Sequence, residues 1–232
     1  MSGKRQLLID CAEWGHVMPI ARRIHDRGRQ SLVVLAYHRV MPLESAEAYP
    51  FDLDLISATP AEFEWQMRWI RDHYAPVSLQ DVVDHMDGGV ALPPKAVAVT
   101  FDDGFRDTYL HAFPVLKRLK IPATVFVTTG YVDSGEPFWF ELVAYLMMHI
   151  EPSAIRIAEV EEAFPSGAST MERRASLRRL NDLLKSLPNA RRAAMLHEWT
   201  ARFVEGFDAS TSELSRPLNW GQIREMSGQG ID

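Results

Sequence analysis

Ala96-Val97-Ala98-Val99-Thr100-Phe101 runs without a break into Asp102-Asp103-Gly104, and Pro93-Pro94 precedes it. A continuous apolar run of strand length, rather than an alternating one, points to a strand buried on both faces, as in a parallel sheet. Beyond the glycine the pattern predicts a helix from about Thr108 to Leu119, then a second apolar strand, Ala123-Thr124-Val125-Phe126-Val127. Strand, helix and strand in that order form a βαβ unit with a right-handed crossover. The fold class is therefore α/β.

Upstream, Ser31-Leu32-Val33-Val34-Leu35-Ala36-Tyr37 is another continuous apolar run, read as a strand buried on both faces, with His38-Arg39 at its C-terminal end. The stretch from Met41 to Thr59 is loop-like. Thr59 is a fitting helix cap, because its hydroxyl can accept from a free N–H of the first turn, and Pro60 suits that turn. Phe63, Met67 and Ile70 give this helix its apolar stripe, with Trp65 and Trp69 adding bulk. A short helix through Val82, Val83 and Met86 is ended by Gly88-Gly89. Residues 1–30, with Val17, Ile20, Ala21 and Ile24 at helical spacing and Gly28 as a stop, read as an N-terminal helical extension.

Downstream the pattern becomes helical. Phe138 to Ile150 is strongly apolar, Leu177, Leu180, Leu184 and Leu187 share one helical face, and Leu196, Trp199 and Phe203 follow after Pro188-Asn189. These segments read as a helical insertion at about 130–218 within an α/β domain spanning 31–232. Asn219 is placed to cap a helix from Trp220 to Ser227, and Ile231-Asp232 looks like the first step of a new strand.

Composition narrows the function classes. With 47% hydrophobic and 24% charged residues among 232, the chain has ample material for a core. Its formal charge of −6 gives no basic footprint for a nucleic-acid backbone. Paired arginines, such as Arg173-Arg174 and Arg178-Arg179, read as solvated helix faces. Cys11 is the sole cysteine, which excludes an internal disulfide and a cysteine-built zinc site. The run Leu7-Leu8-Ile9 is too brief for a signal-peptide core, and no apolar stretch approaches the roughly 20 residues that span a bilayer. On that ground the expected location is the cytoplasm.

Two adjacent carboxylates at the C-terminal end of a buried strand stand where α/β folds gather their functional groups. Side by side they are costly unless a cation or a proton relieves them. One can ligate a metal while its neighbour takes a proton from bound water, and Gly104 permits a sharp turn and close approach of substrate. Taken alone, Asp-Asp-Gly is more often an ordinary loop or cap. A metal-assisted phosphoryl-transfer site is the third reading, but no glycine-rich phosphate loop accompanies it.

The surrounding segments carry a resemblance. Tyr37-His38-Arg39-Val40, Val97 through Asp107, Ala112-Phe113-Pro114-Val115-Leu116 and Ile121 through Val127 are similar, in that order, to the first half of the polysaccharide deacetylases. Phe138-Trp139-Phe140-Glu141 is similar to members of that family with a helical insertion. The resemblance implies a partial, irregular (β/α) barrel. It also implies metal-dependent hydrolysis of N-acetyl groups on an amino-sugar polymer or oligosaccharide. It makes Asp102 the general base and Asp103 a ligand to a divalent metal, usually zinc. His38 is placed near the pocket, as a substrate-binding or supporting residue or simply as a structural hydrogen-bonding group. His111 and the aromatics Trp139 and Phe140 read more simply as packing residues.

The family's remaining ligands form a His-x-x-x-His motif just beyond a segment resembling Gly230-Ile231-Asp232. None of the eight histidines here lies four residues from another. The chain is therefore expected to be inactive as it stands. It is read either as part of a longer enzyme or as a non-catalytic remnant that binds carbohydrate or a partner.

Overall fold

The computed structural model describes residues 32–149, 167–203, 213 and 215–232. The N-terminal extension and Cys11 lie outside them. The described strands are β1 (Val33–Tyr37), β2 (Arg39–Val40), β3 (Ile56–Ala58), β4 (Ala75–Pro76), β5 (Ala96–Phe101) and β6 (Ala123–Val125). Helices α1 (Pro60–His73), α2 (Leu79–Met86), α3 (Phe113–Leu119), α4 (Thr129–Ser134), α5 (Trp139–His149), α6 (Thr170–Ser186), α7 (Asn189–Phe203) and α8 (Trp220–Ser227) connect or follow them.

β5 is the centre of a parallel sheet and is buried along its whole length. β1 pairs along one side of it, from Val33 opposite Val97 to Tyr37 opposite Phe101. The other side is shared, β4 pairing with the start of β5 and β6 with its end. A separate parallel pair, β2 with β3, lies just beyond β1 in the chain. The mixed α/β class with a parallel sheet is thus present, and among the described residues the strands form an open sheet.

One face of this sheet packs on helices. Val97, Val99 and Phe101 join Tyr37 and Ala123, together with Phe63, Met67 and Ile70 of α1, Leu116 and Leu119 of α3 and Met226 of α8. The Tyr37 ring meets Phe63 edge-on at 5.2 Å and stacks on Phe101 at 5.4 Å. Each such buried side chain contributes about 1.5–3 kcal/mol. The opposite face is covered near the strand starts, where Ala96 and Ala98 meet Val77 and Leu92.

Higher on that opposite face the expectation for the first strand fails. β1 alternates in burial, with Val34 and Ala36 exposed. Its even-numbered side chains point to the face that no described layer covers at this height, so only Val33, Leu35 and Tyr37 reach the helix-packed core.

The helix signals were legible for physical reasons. Thr59 forms a reciprocal cap with Glu62, its hydroxyl accepting from the Glu62 N–H while the Glu62 carboxylate accepts from the Thr59 N–H at 2.8 Å. Asn219 and Gln222 do the same for α8. The helix expected from Thr108 to Leu119 is not uniform: Thr108–Ala112 is wound as a π-turn, and α3 continues from Phe113. Ile231 pairs in parallel with Ala123, and Asp232 exchanges hydrogen bonds with β6, its N–H donating to Ala123 O at 3.0 Å. The strand step expected at Ile231-Asp232 is therefore present.

The chain divides into two compact units. One contains the described residues among 1–42, 54–134 and 218–232; the other contains those among 43–53 and 135–217. The second is built on α5, α6 and α7, whose Val143, Leu146, Met147, Leu177, Leu180, Leu184 and Met195 are buried. Within it, the Arg174 guanidinium donates to the carbonyls of Ala46, Tyr49 and Phe51 at 2.8–2.9 Å, holding segment 43–53 against α6. Trp139 lies under the Arg192 guanidinium at 4.8 Å and Phe140 stacks on Phe138, so both aromatics serve packing of this unit. Among the described residues no helix is long and apolar enough to cross a membrane.

Candidate active site

Strand pairing brings the candidate residues together. The Asp102 N–H donates to Tyr37 O at 2.8 Å, and the Phe126 N–H donates to Phe101 O at 2.8 Å. The ends of β1, β5 and β6 are thereby held level at the C-terminal edge of the sheet. His38 follows β1 and Asp102 follows β5, so they face one another as the next rung of the same ladder. His38 Nε2 lies 3.9 Å from Asp102 Oδ2, with the two side chains 40% and 39% exposed. That separation is too long for a hydrogen bond. The His38 N–H is fixed by Ser57 Oγ at 2.9 Å.

The turn after Asp102 is tightly specified. Asp103 has φ +68° and Gly104 φ +78°, both in the left-handed region. Aspartate tolerates that region better than most residues, whereas glycine enters it without a steric cost. At Gly104 a second constraint applies: a Cβ there would stand 3.1 Å from Val127 Cγ1 and 3.3 Å from Val127 Cα. Its carbonyl accepts from the Leu218 N–H at 2.8 Å, while its own N–H donates to Asp102 O at 2.9 Å. A non-glycine residue held at positive φ, as Asp103 is here, is a form of strain often found at functional sites.

Behind this edge lies a buried ion pair. Arg39 Nε donates to Asp107 Oδ2 at 2.7 Å, with Arg39 1% and Asp107 7% exposed. The Val40 N–H donates to Asp107 Oδ1 at 3.3 Å, and the Arg39 guanidinium sits 4.5 Å over the Phe105 ring. Burial pushes the Asp107 carboxyl upward from the ordinary carboxylate range, and the charge and hydrogen bond of Arg39 oppose that push.

A hydrolytic zinc site usually presents three protein ligands and a water. Among the described residues no three His, Cys, Asp or Glu side chains converge in a way that would hold a metal ion. Asp103 alone does not fit such a centre.

Residues 89–178 match the family of polysaccharide deacetylases, a span that includes β5, the Asp-Asp-Gly turn and β6. That segment of the chain is similar to the polysaccharide deacetylases. It is 31% identical over 109 residues to the poly-β-1,6-N-acetyl-D-glucosamine N-deacetylase of Staphylococcus aureus (strain MSSA476), covering 44% of this chain and 37% of that protein. The corresponding protein of Escherichia coli (strain K12) is 32% identical over 103 residues, covering 44% of this chain and 14% of its own length. Among solved structures, IcaB from Ammonifex degensii is 35% identical, with 52% of this chain and 50% of that one covered and a TM-score of 0.40. The chain thus spans well under half the length of these curated relatives. Polysaccharide deacetylases are hydrolases of carbon–nitrogen bonds other than peptide bonds.

Among the residues singled out from the sequence, Asp102, Asp103 and His38 stand at one sheet edge. His111 lies in the π-turn. Sequence reasoning passed over Arg39, Asp107 and Ser57. A charged residue directly after an apolar strand, with a carboxylate a few residues past the motif, was the available signal.

Proposed function

We propose that this chain forms the general-base side of a polysaccharide N-deacetylase acting on acetylated amino-sugar polymers of the poly-β-1,6-N-acetylglucosamine type. The observation that carries the reading is the pair Asp102 and Asp103 at the end of the central strand, inside the segment shared with the family. Asp102, half-exposed and beside His38, is the group that takes the proton of the attacking water as it adds to the acetamide carbonyl. His38, close to Asp102 but not hydrogen-bonded to it, orients substrate or the carboxylate. Asp103 would hold the divalent metal used in the family, zinc in most members, only together with further ligands, and the metal would then supply polarisation of the carbonyl. The staphylococcal and E. coli relatives, both poly-β-1,6-N-acetyl-D-glucosamine N-deacetylases, supply the substrate class.

The irregular (β/α) barrel belongs to the same reading. β1, β5 and β6 would form part of its wall, helices outside, with Val34, Ala36 and the half-exposed Phe126 turned to the inside. A non-catalytic carbohydrate- or partner-binding role is the second reading, favoured by the lack of a converging ligand cluster among the described residues.

A chimera separates the two. The aligned segment of this chain would replace its counterpart in the staphylococcal deacetylase, and acetate release from β-1,6-linked N-acetylglucosamine oligomers would be measured. Activity supports the catalytic reading. A folded chimera that stays silent contradicts it.

A further inference from the structure

We infer that the buried Arg39–Asp107 pair is a positioning device, which locks the backbone on both sides of His38 to the turn that follows Asp102 and Asp103. The inference rests on the assignment of His38 and Asp102 as site residues, but not on turnover.

The geometry brackets His38 closely. On one side, Tyr37 O holds the Asp102 N–H at 2.8 Å. On the other, Arg39 and Val40 both bond to Asp107, through the Arg39 Nε and the Val40 N–H. Asp107 stands at the foot of the π-turn that begins with Thr108, where an aspartate would ordinarily cap the first free N–H groups. Here it makes no side-chain cap bond. Its carboxylate is given over to Arg39 and Val40, and the Arg39 guanidinium rests on Phe105, the residue after Gly104. The clamp therefore ties residues 39–40 to residues 105–107 across the site, with His38 and the Asp102–Gly104 turn just beyond its two ends.

Stability is a poor account of the arrangement. Desolvating both charges offsets most of their attraction, so apolar side chains of like volume would often serve as well. What an apolar pair cannot supply is direction: a guanidinium and a carboxylate with fixed hydrogen-bond geometry set the register between the two segments. The left-handed φ of Asp103 and Gly104 leaves that turn little room to adapt if the register slips.

The test uses the 232-residue chain carrying Cys11→Ser, His38→Cys and Asp102→Cys, so that two thiols report the His38–Asp102 juxtaposition. Positions 38 and 102 are adjacent rungs of neighbouring parallel strands, about 4.8 Å apart in backbone spacing, within reach of a disulfide. Disulfide formation at fixed oxidant is followed with the clamp intact, with Arg39→Lys, and with the apolar pair Arg39→Met/Asp107→Leu. Circular dichroism and thermal unfolding monitor the fold in each background.

The apolar pair is expected to keep a cooperative fold yet slow disulfide formation by about tenfold or more, since proximity effects fall steeply with ångström-scale displacement. Arg39→Lys, which keeps a donor, is expected to fall between. An unchanged rate in the folded apolar variant would overturn the positioning role. If the apolar pair does not fold, Arg39→Lys decides: a folded variant with an undiminished rate overturns the claim, and a slowed rate upholds it. None of these outcomes depends on deacetylation, so failure of the proposed activity is recognised separately.

Discussion

His38 Nε2 stands 3.9 Å from Asp102 Oδ2, a separation set by backbone pairing rather than by a bond between the two side chains. The Asp102 N–H binds Tyr37 O, and the His38 N–H binds Ser57 Oγ. Either side chain can therefore be replaced without unfastening the strand ends. His38→Ala and Asp102→Asn should each unfold within about 0.5 kcal/mol of the parent, as is usual for half-exposed positions. Denaturant melts of the two variants check this. A loss of several kcal/mol would mean that the pair holds the fold together.

The turn should behave in the opposite way. Gly104→Ala places a Cβ against Val127 at a positive φ, for a cost of about 1–2 kcal/mol from the backbone alone. Asp103→Gly removes the strain of a non-glycine left-handed residue and should stabilise the chain by about 1 kcal/mol, or roughly 2–4 °C in Tm. An Asp103→Gly that is stabilised in this chain and loses acetate release in the staphylococcal chimera would mark Asp103 as a residue kept for chemistry at the expense of stability.

Breaking the buried pair from one side is a harsher change. Arg39→Met leaves the Asp107 carboxylate buried without its guanidinium, which should cost about 3–5 kcal/mol. Burial already pushes the Asp107 carboxyl upward, so without Arg39 it should be neutral in the folded state. A raised folded value means that the stability belonging to the protonated group is present at low pH and is lost as pH rises through the folded value. The Arg39→Met deficit should therefore shrink on acidification, and melts of parent and variant across pH 4–7, a window starting near the ordinary carboxylate value, check it.

In the second unit, Arg174 binds three carbonyls of the segment running from Ala46 to Phe51. Arg174→Ala should free that segment and make it the first site of limited proteolysis, with far-UV dichroism almost unchanged. Cleavage elsewhere at the parent rate would show that the segment is held by other means.

The parts of the fold legible in sequence are those governed by local physics. The apolar run of β5, the Thr59 and Asn219 caps and the inserted helical faces each follow from pattern and from the hydrogen-bonding capacity of single residues. β1 misled, because an apolar run does not reveal whether a layer covers its second face. Val34 and Ala36 were expected to be buried and are exposed. β4 went unread because Ala75–Pro76 is a strand only through pairing with β5, which no local pattern records. The placement of Asp102, Asp103 and His38 at one sheet edge was legible from the strand ends. The Arg39–Asp107 clamp was not, because it joins residues 68 positions apart and only tertiary pairing brings them together.

Asp103 alone does not make a zinc site, so the 232-residue chain with added zinc is expected to release no acetate above background from acetylated chitooligosaccharides. Clear metal-dependent turnover by this chain would show that fewer ligands suffice.

The division of roles at the strand end is the centre of the account, and acetate release combined with metal content in the staphylococcal chimera tests it most directly. Asp102→Asn should keep the metal and lose about 10²- to 10⁴-fold in rate, the usual contribution of a general base. Asp103→Ala should lose the metal together with the activity. Asp102→Asn stripping the metal as thoroughly as Asp103→Ala, or leaving the rate intact, would contradict the assignment of Asp102 as the base.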